Sequence, residues 1–167
     1  MDTLSLVTFL PVAGAVALAL FPERAHGAMR AFALLVSLAA FAASVPLVIR
    51  FAPVAEMQFV VEKQWIPALG ISYKMGLDGI TLWLVLLVTF LTPITILSCF
   101  ASITERVKEF FICMLILETA MIGAFVALDL FLFYVFWEAM LIPMYFMIGM
   151  WGGERRIYAT VKFFIYT

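Results

Sequence analysis

The feature that most constrains this chain is the recurrence of apolar runs about as long as a bilayer is thick. A membrane-crossing helix needs about twenty predominantly apolar residues. Residues 4–21 supply one such run, closed by Pro22, and residues 29–51 supply a second. A third runs over 78–101, with Asp78 placed as its N-cap and Pro93 predicting a kink inside it. The apolar stretch 110–151 would be about 63 Å long as one helix, twice the hydrocarbon thickness. It must therefore turn back once. Asp129, the only charge near a natural break, can cap the second of the two helices, which divides the stretch into spans at 110–128 and 130–150. A sixth helix begins near Ile157 and is too short to cross by Thr167.

Between the second and third runs, residues 53–77 mix charges with Pro53, Pro67 and Gly70. They read as an extramembrane loop with a short strand around Phe59-Val60-Val61. The expected fold class is thus an all-α integral membrane protein, with five transmembrane helices plus the start of a sixth in a single membrane domain over 1–167. Composition agrees: 66% of residues are hydrophobic and 13% charged, against about a quarter charged in a soluble domain. A mean hydropathy of +1.17 points the same way. The net charge of −1 gives no electrostatic footprint for nucleic acid, which would need a clustered basic face.

Orientation follows from the distribution of basic residues. Arg24, Arg30, Arg106, Lys108, Arg155, Arg156 and Lys162 fall at one end of the helices; Arg50, Lys63 and Lys74 fall at the other. This places the N-terminus outside and the 22–28, 102–109 and 152–160 connections in the cytoplasm. Met1-Asp2-Thr3 lacks a basic n-region, so the first span is expected to be retained, not cleaved as a signal peptide.

Cys99 and Cys113 lie in apolar runs without metal-ligand spacing and read as buried reduced thiols. His26 reads as a surface residue of a short loop, and Trp65, Tyr73 and Trp151 as interfacial aromatics. Two charges do not belong in loops. Glu138 lies about 13 Å into the fifth span, and Glu118 lies at a similar depth in the fourth, entered from the opposite face. An ionised carboxylate at that depth costs on the order of 3 kcal/mol on insertion scales. Such a group needs a polar partner, water or a proton. It is either a hydrogen-bonding strut between helices or a site that loads and releases protons. Pro143 sharpens the second reading, because it has no N–H to give the carbonyl of Ala139.

The stretch Asp129-Leu-Phe-Leu-Phe-Tyr-Val-Phe-Trp-Glu138-Ala-Met-Leu-Ile-Pro143-Met-Tyr-Phe-Met-Ile-Gly-Met-Trp-Gly-Gly153 resembles the antiporter-like, proton-pumping subunits of respiratory complex I, of the chain M (mitochondrial chain 4) type. Gly76-Leu-Asp-Gly79, Leu117-Glu-Thr119 and Lys162-Phe-Phe-Ile-Tyr-Thr167 are similar to the same family. The resemblance implies an N-terminal portion of an antiporter-like bundle of about fourteen helices, built from inverted repeats of five. It implies that Glu138 is the essential acid of a proton half-channel, paired with a lysine on a seventh helix, and that Glu118 is a secondary acid. The pairing lysine, a central lysine on the eighth helix and an exit residue on the twelfth would lie outside these residues, so the chain is expected to be a fragment without a complete proton path. The partners implied are the other membrane subunits of complex I and the lipid bilayer, in a bacterial cytoplasmic membrane. No Gly-rich phosphate loop, Cys cluster or paired His is seen, so NADH, FMN, iron–sulfur clusters and quinone are expected on partner subunits. Two alternatives stay open: a subunit of a multisubunit cation/proton antiporter or membrane-bound hydrogenase, and a structural scaffold in which the two glutamates only lock helices.

Overall fold

The computed structural model describes residues 2–54 and 56–167. It is mostly helical: α1 (Thr3–Ala19), α2 (His26–Ile49), α3 (Gly79–Ser102), α4 (Val107–Val126), α5 (Leu130–Trp151) and α6 (Arg156–Tyr166). Four of them, α2 to α5, are long and apolar enough to cross a membrane, and α1 is a shorter apolar helix. Pro11, Pro46, Pro93 and Pro143 all lie inside these helices without ending them. Each is covalently unable to donate to the carbonyl four residues earlier.

The expectation of an all-α chain needs one correction. Within 53–77 the chain forms an antiparallel hairpin of β1 (Gln58–Ile66) and β2 (Ile71–Leu77). Only a brief strand near Phe59 was expected there. The reason lies in the turn: Pro67–Leu69 makes one 3₁₀ turn and Gly70 follows at φ +67°, a left-handed conformation in which glycine avoids a Cβ clash. The flanking residues then pair, with Glu62 opposite Lys74 in the register and ion-paired at 2.8 Å. β2 lays Met75, Gly76 and Leu77 into the bundle, while β1 stays mostly exposed.

α4 is the centre of the bundle. It packs on α1, α2, α3 and α5, whereas α6 packs only on α5 among the principal helix contacts. Two apolar clusters fill the interior, one toward each end. Leu4, Val7, Leu47, Leu82, Val85 and Ile122 belong to the cluster beside the hairpin. Ala15, Met29, Ala33, Ile96, Phe111 and Leu115 belong to the other. At the hairpin end Asp78 caps α3, accepting from the N–H groups of Ile80 and Thr81, in keeping with its predicted role. At the opposite end Arg30 donates from Nη2 to the carbonyl of Ile103, and Lys108 donates from Nζ to that of Phe21. Both close the connections between helices. Trp151 adds a third tie by donating from Nε1 to the carbonyl of Glu105.

Candidate functional site

The turn between α4 and α5 sets the height of both glutamates. Asp129 caps α5 by accepting from the N–H groups of Phe131 and Leu132, and it also accepts from Ser72 N–H of β2 at 3.1 Å. These hydrogen bonds, with Ser72 first, hold its carboxyl below the usual carboxylate range. Leu128 N–H donates to the carbonyl of Lys74, and Met75 bridges Ala127. The hairpin is thus fastened to the turn from which α5 departs. Counted from this end, Glu118 (eight residues before Val126) and Glu138 (eight after Leu130) each stand about 12 Å along their helices.

Equal height does not mean equal surroundings. Glu118 is fully buried, and neither carboxyl oxygen has a hydrogen-bond partner. A buried neutral polar group left unpaired costs about 1–3 kcal/mol, and an ionised one more. Its neighbour Thr119 has a partner: its hydroxyl accepts from Val12 N–H of α1 at 2.9 Å, a helix-to-helix bond beside Pro11. Glu138 instead lies on the exposed face of α5. Tyr134 and Ile142, one turn away on either side, are 55% and 59% exposed, so this whole face is uncovered. No hydrogen bond or ion pair joins the two carboxyls among the described residues. α4 and α5 meet on other faces, where Phe136 fills the space left by Gly123. An apolar groove of about 410 Å³ opens between α5 and α6, lined by Ile142, Tyr145, Phe146, Val161, Phe164 and Ile165. Its lining fits lipid tails or another helix.

The remaining singled-out residues are simpler. His26 is exposed at the start of α2. Cys99 and Cys113 are free and half-buried, less enclosed than their apolar runs implied. Trp65 is half-exposed and stacks edge-on against Phe131, tying β1 to the first turn of α5. Sequence reasoning missed the buried hydroxyls Ser37, Ser44, Thr89, Thr92 and Thr119. Their only signal was small polar residues near the middle of otherwise apolar runs.

The bundle thus holds one carboxyl at mid-height in each of two adjacent apolar helices, α4 and α5. The family model described as "NADH:quinone oxidoreductase/Mrp antiporter, TM" matches residues 127–167, the stretch that holds Glu138. More particularly, the chain is 49% identical to NADH-quinone oxidoreductase subunit M of Rhodobacter capsulatus, over 99% of this chain and 33% of that protein. It is 41% identical to NADH-ubiquinone oxidoreductase chain 4 of Marchantia polymorpha, over 99% of this chain and 34% of that one. A chain of respiratory complex I from Thermus thermophilus with bound NADH superposes with a TM-score of 0.83 at 28% identity, over 98% of this chain and 32% of that one. A chain of the Mrp complex from Dietzia sp. shares the fold at a TM-score of 0.75 and 16% identity, over 95% of this chain and 17% of that one. The resemblance read from the motif at 129–153 is borne out end to end. The chain spans about a third of the length of the relatives it matches.

Proposed function

We propose that this chain forms part of a proton-translocating membrane subunit of an NADH–quinone oxidoreductase, with Glu138 as the proton-carrying acid and Glu118 as a second acid. The observation that carries the reading is the end-to-end similarity to subunit M together with a carboxyl at mid-height in each of α4 and α5. A carboxyl in that position is costly as a bare charge, and its cost falls when a proton or an opposite charge arrives. Proton loading and release then become energetically close, which a translocation step requires. The uncovered face around Glu138 suits a partner helix bringing the opposite charge.

In this reading residues 1–167 form one membrane domain. Five helices cross near 4–21, 29–51, 78–101, 110–128 and 130–150, a sixth starts at 157, and 53–77 lies outside the bilayer with the N-terminus. The host is a bacterial cytoplasmic membrane. The basic residues at the end opposite the hairpin support that orientation. The subunit serves the oxidoreductase as a translocase, with NADH oxidation, flavin, iron–sulfur clusters and quinone on partner subunits.

The decisive experiment substitutes Glu138→Gln in the full-length subunit within its assembled complex. The change keeps size and hydrogen bonding and removes titration. NADH-driven proton pumping should fall on the order of tenfold or more with the complex still assembled. Pumping at the unsubstituted level would break the proposal. A second reading, cation/proton antiport, is favoured by the family model's own description and by the fold shared with the Mrp complex. Sodium-dependent proton exchange without association with NADH-oxidising subunits would select it.

A further inference from the structure

The two apolar clusters do not meet. Along α1 the hairpin-side cluster ends at Val7 and the other begins at Ala15; along α2 the bounds are Leu47 and Val36, along α3 Val85 and Ile96, and along α4 Ile122 and Leu115. Every one of these gaps holds buried polar side chains: Thr8 on α1, Ser37 and Ser44 on α2, Thr89 and Thr92 on α3, Glu118 and Thr119 on α4. Pro11 and Pro93 lie in the same layer, both buried. A layer enriched in polar side chains, with the buried Ala40 and Ala120 among them, therefore crosses the bundle at mid-height.

Helical geometry directs Glu118 into it. Phe111 stacks edge-on against Phe100 of α3 at 6.2 Å, and Glu118 follows about two turns later on the same face of α4. On antiparallel α3, two turns back from Phe100 is Pro93, next to Thr92. Pro93 has no N–H, so the carbonyl of Thr89 lacks its usual helical donor.

Most hydroxyl protons of the layer are already given to carbonyls. Ser37, Thr89 and Thr92 each give their hydroxyl proton to a carbonyl of their own helix, those of Leu34, Val85 and Val88. What Ser37 and Thr92 turn toward the interior is lone pairs, while Thr89 Oγ1 shares a 3.1 Å hydrogen bond with Ser44 Oγ. The carbonyl freed by Pro93 is an acceptor, and both oxygens of Glu118 are without a partner. A protonated Glu118 brings one O–H and an ionised one brings none, so acceptors outnumber donors in either state; a molecule with two O–H donors can make up the difference.

We propose that this layer is a buried water site, in which ordered water joins Glu118 to the Pro93-freed carbonyl of Thr89 and to the hydroxyl of Thr92. Water there would let Glu118 exchange protons without contact with Glu138. The site rests on the hydrogen-bonding deficit of this layer and stands whether or not Glu138 carries protons.

The test is a density map of the full-length subunit in its complex, at a resolution that shows water. Water is expected within hydrogen-bonding distance of a Glu118 carboxyl oxygen, and it should persist when sodium is replaced by choline. Glu118→Leu should lose it with the helices in place, and Thr92→Val should displace or remove part of it while keeping the acid. A Glu118 carboxyl bonded directly to protein groups with no density between would overturn the proposal. Density that disappears with sodium would replace water by a monovalent cation and overturn it equally. Retained pumping in Glu138→Gln, with water still on Glu118, would defeat the functional reading alone.

Discussion

α4 and α5 carry carboxyls at the same height, are joined by the same turn and pack on each other, yet they are opposite in kind. α4 packs against four other helices and is mostly buried, and its glutamate is fully enclosed without a hydrogen-bond partner. α5 is more apolar in appearance, rich in Phe and Tyr, but most of its surface, Glu138 included, faces outward. Apolar character in a membrane helix therefore says nothing about which side is interior, because lipid and protein core make the same demand. The difference teaches that the two acids answer different needs: Glu118 must be satisfied within this bundle, and Glu138 by whatever covers α5.

That contrast can be broken or sharpened by four measurements. The largest effect is expected from the glutamates themselves. In the assembled complex, Glu138→Gln should reduce pumping more than Glu118→Gln, the former on the order of tenfold or more. Equal losses would erase the distinction between the helices.

Next is the seam between them. A Cβ at Gly123 would overlap the ring of Phe136, so Gly123→Ala should force the helices apart and cost about 1–3 kcal/mol in a thermal or denaturant unfolding assay. Pairing it with Phe136→Leu should recover part of the loss if the overlap is the cause.

Thr119→Val should cost about 1 kcal/mol, measured in the same assay, because Val12 N–H loses its acceptor across the α1–α4 contact. A substitution on the outer face of α5, such as Ile142→Val, should have no comparable effect.

The smallest effect concerns the cap they share. Asp129→Ala should speed amide hydrogen exchange at Ser72, Phe131 and Leu132, and Asp129→Asn should do so less. The cap's carboxyl is held below its ordinary range, so the charged form favours the folded state. Its contribution is complete above the ordinary carboxylate value of about 4 and is lost as pH falls through that range toward the lowered native value. Exchange protection at the three amides should follow that curve in the parent and be flat in Asp129→Asn.

Most of the helical framework was legible because bilayer thickness imposes a length, and charged or proline-containing breaks mark its ends. Asp78 and Asp129 could be placed as caps for the same reason: an acid just ahead of an apolar run has few other roles. The hairpin was not legible, since its strands are short, mixed in polarity and held by the left-handed Gly70 turn and by bonds to a segment more than fifty residues later. Nor was the hydroxyl layer, because one serine or threonine in an apolar run looks like any other until four helices bring theirs to one height.

The residues alone determined that this chain is a membrane protein and that it holds two acids at bilayer depth, since hydropathy and chain length are local properties. They also carried the resemblance to the complex I subunits through the motif around Glu138. Only the tertiary structure decided that Glu118 is the sealed acid and Glu138 the uncovered one. Helix rotation is set by packing between faces, and nothing in an almost uniformly apolar run such as α5 indicates which face will be inside.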